Sequence, residues 1–163
     1  MPATQPIRHV RESHCLPALE GRTPEAAITE ISQTFVASGQ LTEAARKALV
    51  KAVLQREERG TTGIGNGIAL PHPTAPEDVS GHVRELVIGV GLSGAGIAFD
   101  AVDGAPVHAV FLVAAPDAQA YLGVARRVAG LARDRRWPKL LKQCKTSREI
   151  LELLEEAWEG GPG

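Results

Sequence analysis

A glycine-rich run leading into a proline-flanked histidine most restricts how this chain can fold. Residues 60–67 read GTTGIGNG, with four glycines in eight positions, and Pro71-His72-Pro73 follows shortly after. Glycine permits positive φ and close backbone approach, while proline lacks an N–H donor, so no helix continues through this segment. The chain is therefore divided into a part before the run and a part after it.

Two amphipathic helices are predicted before the run. Thr23 and Pro24 form a helix start, and apolar residues recur at helical spacing from there until Gly39. Thr42 can cap a second helix that ends at residue 60. The spacing places Arg56 on the inward face of this second helix, near its end.

Strands and further helices are predicted after the run. The apolar segments 84–92 and 107–115 are short and rich in valine, which is typical of buried strands, and "IAL" at 68–70 is a shorter one. Asp117 and Thr146 can each cap a helix in the last third of the chain. This order predicts an α/β fold in which helices sandwich a small mixed β-sheet.

Length and charge set the class of protein. The 163 residues suit one domain, for which we expect a leader at 1–12, a single domain at 13–159 and a tail at 160–163. The net charge of -1 offers no footprint for nucleic acid. No apolar run approaches the roughly 20 residues that span a bilayer, and no signal peptide is recognisable, so we expect a cytoplasmic protein without membrane insertion.

His72 is the candidate reactive residue. The two flanking prolines stiffen the backbone on either side, so the imidazole stands on a restrained loop, where it could titrate, bind a metal or act as a nucleophile. No second histidine, cysteine or carboxylate pair stands at ligand spacing, so we expect no metal and no organic cofactor. The glycine run also lacks the spacing of a P-loop or a dinucleotide-binding turn.

Two longer strings identify a resemblance. "LQREERGTTGIGNGIALPH" and "IAFDAVDGAPVHAVFLVAAP" closely resemble the enzyme IIA domains of the fructose and mannitol type (type 2) in the bacterial phosphoenolpyruvate-dependent sugar phosphotransferase system, including the nitrogen-regulatory branch. The similarity covers nearly the whole chain. It implies the enzyme IIA type-2 fold, also called the phosphotransferase/anion transport protein fold, and a phosphoryl group accepted by His72 from a histidine-containing carrier protein, HPr or its nitrogen-branch relative.

The resemblance also implies a phosphate-binding surround. Arg56 matches the arginine of the family's R-E motif and would pair with the phosphate, although a structural ion pair with Glu57 or Asp100 is an alternative. Thr62 either donates its hydroxyl to the phosphate or caps a turn.

The glycine-rich turn is expected to take part in the same site. Asn66 and Gly67 belong to this turn, which we expect to supply backbone donors and room for the phosphate. A backbone carbonyl of the same region is expected to hold the ring nitrogen of His72 that keeps its proton.

Tyr121 marks a departure from the family pattern. Many members have a second histidine in a His-Leu-x-x-Leu pattern where this chain reads Tyr121-Leu-Gly-Val-Ala. We expect the tyrosine hydroxyl to point at His72, whereas the alternative is that Tyr121 packs in the core. His108 is not simply a substitute for the missing histidine, because it lies within an apolar strand, where a hydrogen-bonded structural role is the alternative.

The leading hypothesis is therefore a phosphocarrier of regulatory type. Its partners would be an HPr-like phosphocarrier protein and, downstream, an enzyme IIB, a regulated transporter or a kinase. The second hypothesis is a regulatory binding module whose phosphorylation is weak or vestigial. A nucleotide- or anion-binding domain unrelated to phosphoryl transfer is the third.

Overall fold

The computed structural model describes residues 6–79 and 81–159. The helices in this part of the chain are α1 (Pro24–Ala37), α2 (Glu43–Glu58), α3 (Ala118–Arg133), α4 (Arg136–Gln143) and α5 (Ser147–Glu159), with short 3-10 turns at Pro6–His9 and Pro76–Val79. The strands are β1 (Val10–Leu16), β2 (Gly63–Gly65), β3 (Ile68–Ala69), β4 (Val87–Ile97) and β5 (Val107–Ala114). The first five residues of the predicted leader and the predicted tail lie outside the described residues.

The described strands form one mixed sheet in the order β1-β4-β5-β3-β2. The β1–β4 and β3–β5 pairs are parallel, whereas β4–β5 and β2–β3 are antiparallel. Ile68 pairs with Ala109, and Ala69 with Val110. The short strand β3 is therefore held beside the central strand β5, and the loop after β3 leaves the sheet close to the end of β5.

Helices cover both faces of the sheet, which confirms the predicted α/β sandwich. Successive residues of a strand point to opposite faces. Accordingly Val110 and Leu112 of β5 belong to the core under α1 and α2. Phe111 and Val113 instead belong to the core under α3, α4 and α5. Because β5 is buried on both faces, its sequence is a continuous apolar run, as was predicted for it.

Side-chain caps begin the helices where the sequence predicted. Thr23 and Thr42 each accept a hydrogen bond from the backbone three residues on, both at 3.1 Å. Asp117 Oδ1 accepts from Ala120 N at 2.8 Å, and Thr146 Oγ1 accepts from Glu149 N at 3.1 Å. Each cap satisfies a helix N–H that would otherwise lack a partner.

One strand was not expected from the sequence. Strand β1 begins at Val10, inside the segment expected to be a leader, and pairs with β4. The sequence signal is weak because β1 is an edge strand, whose residues 11–13 are exposed. Pro138 lies in the first turn of α4, where a proline has no hydrogen bond to lose.

His14, in β1, predicts a pH dependence of stability. The side chain is 1% exposed and lies 2.7 Å through Nε2 from Ser38 Oγ. Burial, with a smaller effect of the Arg11 charge, lowers its pKa from 6.5 to about 4. Between those values the unfolded chain binds a proton that the native state does not, so the free energy of unfolding falls as the pH drops through this window.

We expect this one proton to contribute up to about 1.4 kcal/mol per pH unit to that fall. Urea titrations from neutral pH down to about pH 4 should therefore give a shallower pH dependence for His14→Gln than for the wild type. Equal slopes for the two proteins would contradict the assignment to His14.

Candidate functional site

His72 lies where the loop after β3 passes the end of β5. Val113 N donates a hydrogen bond to Pro71 O at 3.1 Å, which continues the pairing of β3 with β5 by one step. The chain of β5 then leads through Asp117 into α3. The proline-flanked loop and the first turn of α3 are thus neighbours, although they are about 45 residues apart in the sequence.

A backbone carbonyl determines the tautomer of His72. Nδ1 lies 2.8 Å from Leu70 O. A carbonyl oxygen only accepts hydrogen bonds, so Nδ1 carries the proton and, in the neutral ring, Nε2 carries the free lone pair. The sequence predicted such a carbonyl but placed it in the glycine-rich turn. The partner is instead Leu70, directly after β3.

The surroundings of His72 keep its ring neutral. Burial lowers the pKa of His72 below its usual value, and the nearby Arg56 charge lowers it further. The Leu70 hydrogen bond and the Glu57 charge act in the opposite direction, but the net change is downward. An imidazole that stays neutral at pH 7 has an available lone pair, as a nucleophile requires.

Tyr121, in the first turn of α3, packs against His72. The two rings have centroids 4.4 Å apart at an interplanar angle of 31°, and the hydroxyl oxygen lies 3.3 Å from His72 Nδ1. Because Nδ1 already carries a hydrogen, the tyrosine oxygen can only accept from it, and its own hydrogen remains available. Tyr121 is also half-buried at the margin of the core under α3, so it contacts both the site and the core.

Arg56, in the last turn of α2, supplies positive charge to the site. Its charge contributes to the lowered pKa of His72 and partly offsets the rise that burial causes in the pKa of Tyr121. The guanidinium donates to Gly60 O at 2.8 Å. In the described part of the chain it forms no ion pair with Glu57 or Asp100, the alternative considered from the sequence.

Glu57 and Thr62 form a hydrogen-bonded support that the sequence did not reveal. Glu57 accepts from Thr62 N at 3.0 Å and also from the Thr62 hydroxyl. Thr62 O in turn accepts from Leu70 N at 2.9 Å, and Leu70 O holds His72. The Thr62 hydroxyl is therefore directed at Glu57 rather than at a phosphate. The sequence does not predict this contact, because Glu57 lies in the last turn of α2 and Thr62 lies beyond the end of that helix, so no helical or strand periodicity relates them.

Asn66 and Gly67 do not lie beside His72, contrary to the prediction. Gly67 O accepts from His108 N and Ala109 N, at 2.7 and 2.9 Å, whereas Pro71 O accepts from Val113 N. Gly67 and Pro71 therefore contact β5 at points that are four residues apart, which corresponds to roughly 13 Å at about 3.3 Å per residue.

The two residues form the turn between β2 and β3. Asn66 and Gly67 both have positive φ, 52° and 79°. The Asn66 side-chain amide donates to Ala132 O at the end of α3. His108 has the structural role that was expected of it, because its Nδ1 lies 2.8 Å from Ser93 O.

A shallow cavity of about 180 Å³ opens beside His72 and Tyr121. Its other lining residues are mostly apolar and include Pro73, Pro76, Val113, Ala115, Ala118 and Leu122. Small-molecule sites usually occupy about 300–1,000 Å³. The cavity is therefore smaller than a typical small-molecule site.

Two kinds of feature are absent from the described residues. Residues 6–79 and 81–159 contain no group of three histidine, cysteine, aspartate or glutamate side chains placed to hold a metal ion. Within the same ranges no helix is both long and apolar enough to cross a bilayer.

The fold is that of the enzyme IIA domains. The solved E. coli mannitol enzyme IIA, described in complex with phosphorylated enzyme IIB, superposes with a TM-score of 0.74 at 22% identity, covering 89% of this chain and 96% of that one. The profile of the family "Phosphoenolpyruvate-dependent sugar phosphotransferase system, EIIA 2" matches residues 9–157. This protein belongs to that family, whose members are phosphotransfer components.

Two relatives represent different branches. A nitrogen regulatory protein of Bradyrhizobium diazoefficiens is 32% identical over 143 residues, covering 85% of this chain and 87% of the relative. The fructose-specific EIIABC component of Bacillus subtilis is 29% identical over 140 residues, which cover 85% of this chain but 21% of that larger protein. The chain thus spans most of the regulatory relative and about a fifth of the transport relative.

Proposed function

We propose that this protein is a phosphocarrier in which His72 Nε2 accepts a phosphoryl group from a phosphohistidine on an HPr-like carrier protein. His72 then passes the group to a partner such as an enzyme IIB, or its phosphorylated state acts as a regulatory signal. The observation that carries the proposal is the hydrogen bond between His72 Nδ1 and Leu70 O. This contact supports the proposal because it keeps the proton on Nδ1 and leaves Nε2 with the free lone pair that a nucleophile needs.

The transfer needs neither a metal nor a base. The Nε2 lone pair forms a bond to phosphorus while the bond between phosphorus and the carrier's imidazole nitrogen breaks, and that bonding pair returns to the carrier's ring. His72 Nδ1 keeps its proton throughout, held by Leu70 O. In such a reaction the protein contributes mainly positioning and stabilisation of charge on the phosphoryl oxygens.

Arg56 and Tyr121 are the groups we propose for that stabilisation. The positive charge of Arg56 already acts on both rings and would favour a dianionic phosphoryl group on His72. Burial raises the pKa of Tyr121, so its hydroxyl keeps the hydrogen that it could donate to a phosphoryl oxygen. Glu57 and Thr62 act indirectly, by holding the backbone that positions Leu70 and His72.

A regulatory role is the better-supported of the two branches. The regulatory relative corresponds to this chain over most of its own length. Tyr121 moreover stands where many members have a histidine, and a neutral hydroxyl stabilises a phosphate less than an imidazolium does. We further propose that the exchange occurs in the cytoplasm, because its ultimate donor would be the metabolite phosphoenolpyruvate.

Reconstituted phosphorylation tests the proposal. The protein would be incubated with phosphoenolpyruvate, enzyme I and the HPr-like carrier of the same organism, and its intact mass would be followed with time. We expect one added phosphoryl group that is lost on mild acid treatment. An unchanged mass, with the carrier itself phosphorylated, would instead favour the regulatory binding module.

Substitutions of Tyr121 distinguish the contribution of its hydroxyl to phosphorylation from the contribution of its ring to core packing. Tyr121→Phe keeps the ring and should slow phosphorylation by no more than about tenfold, the value of one neutral hydrogen bond. Tyr121→His should raise the rate or the final extent, because an imidazolium offers the phosphate a charged partner. Rates from quenched time courses would be compared with urea unfolding of each variant. A slower, destabilised Tyr121→His protein would show that packing dominates.

A further inference from the structure

Positive charge is concentrated in one short segment. Residues 126–145 contain eight lysines and arginines and one acidic residue, Asp134, whereas the whole chain has 18 basic and 19 acidic residues. The segment therefore carries a net charge of +7, and the remainder carries -8. The near-neutral total therefore includes one segment of strong positive charge, whose field can orient an approaching charged partner.

The basic segment begins close to the candidate site. Leu122, Arg126 and Arg133 are spaced by four and seven residues, so they lie on one face of α3. All three are exposed, and Leu122, 49% exposed, also lines the cavity beside His72. From Leu122 this face extends for roughly 16 Å, at 1.5 Å rise per residue, to the start of α4.

Most of these charges have no internal partner. We define the basic face as five exposed residues on α3, on α4 and between them: Arg126, Arg133, Arg135, Lys139 and Lys142. Within residues 6–79 and 81–159 none of the five side chains forms a hydrogen bond or an ion pair. Two other arginines of the segment do have internal partners, because Arg127 donates to Trp158 O at 2.7 Å and Arg136 pairs with Asp134 at 2.6 Å. The charge of the basic face is thus available to another molecule.

We propose that the basic face docks an acidic surface on the carrier protein that donates the phosphoryl group to His72. This inference rests on the proposed phosphocarrier function and adds the chemistry by which the donor is recognised. Two exposed leucines, Leu122 and Leu140, accompany the arginines, and protein interfaces combine apolar contacts with arginine. An extended polyanion such as DNA or an anionic bilayer would also face the -8 charge of the remaining chain, which opposes its approach.

Salt dependence of transfer tests this inference. The phosphorylated carrier of the same organism would be mixed with the wild type and with Arg126→Gln/Arg133→Gln, and the second-order rate constant measured at low and high salt. Charges around an interface act mainly on the association rate and are screened over about 8–10 Å. We expect the variant to be about tenfold slower at low salt, and the two proteins to converge at high salt.

A matched pair of substitutions provides the control. Arg22→Gln/Lys51→Gln also removes two exposed positive charges. Arg22 precedes α1 and Lys51 lies on α2, so both belong to the opposite side of the sheet from α3. This variant should keep the rate and the salt dependence of the wild type. Equal low-salt rates for the Arg126/Arg133 variant and the wild type would overturn the inference.

A small phosphoryl donor distinguishes the docking inference from the proposed phosphocarrier function on which it rests. Phosphoramidate needs no docking surface, so it should label His72 equally in the wild type and both variants. If phosphoramidate labels His72, but the rate of transfer from the carrier does not change with salt or with the substitutions, the docking inference alone fails. If neither donor labels the wild type, both proposals fail. A different outcome would be that the wild type binds phosphatidylserine vesicles or a DNA duplex and that the Arg126/Arg133 variant loses this binding. This result would assign the basic face to a membrane or to DNA and would overturn the inference of a protein partner.

Discussion

Replacing His72 by alanine should abolish phosphoryl transfer to this protein. Nε2 of His72 is the proposed acceptor atom, and no neighbouring group in the described structure combines a neutral imidazole with the adjacent Arg56 charge. Without the lone pair no bond to phosphorus forms, so the loss should be complete rather than graded. Intact mass spectrometry after incubation with phosphoenolpyruvate, enzyme I and carrier protein measures it directly.

His82→Ala is the matched control for this experiment. His82 is an exposed histidine in the segment before β4, and its substitution removes an imidazole without touching the cavity. It should be phosphorylated like the wild type, and circular dichroism should be unchanged for both variants. Acid-labile phosphate that persists on the His72→Ala protein would refute the assignment of the acceptor.

Replacing Arg56 by glutamine should slow phosphorylation of His72 by about ten- to a hundredfold. A charge-assisted hydrogen bond to the phosphoryl group contributes about 1.5–3 kcal/mol, and each 1.4 kcal/mol corresponds to a factor of ten in rate. The substitution should also raise the pKa of His72, because the Arg56 charge now lowers it. The acid limb of the pH–rate profile should therefore move to higher pH.

Arg56→Lys helps to separate the charge from its geometry. Lysine keeps the positive charge but cannot offer two parallel donors, so the pH profile should stay near that of the wild type while part of the rate is lost. Arg56 also donates to Gly60 O, and thermal unfolding of each variant would report that structural contribution. An unchanged rate and an unchanged pH profile in Arg56→Gln would show that Arg56 does not act at the site.

The local sequence was sufficient for most helices and for the class of fold. The caps at Thr23, Thr42, Asp117 and Thr146 lie within three residues of the groups they satisfy. The two-sided burial of β5 likewise leaves its mark as an uninterrupted apolar run. Such features can be predicted from the sequence because a helix cap involves residues close together in the chain, and a strand that is buried on both faces consists almost entirely of apolar residues.

The sequence by itself also singled out His72, through the two prolines beside it and its likeness to a known family. Only the tertiary structure decided which groups surround it. Leu70, rather than the glycine turn, holds Nδ1, and Glu57 supports that contact through Thr62, while Asn66 and Gly67 lie at the far end of β3. The physical reason is the parallel register of β3 on β5: every residue along an extended strand adds about 3.3 Å, so near neighbours in sequence reach different ends of the sheet.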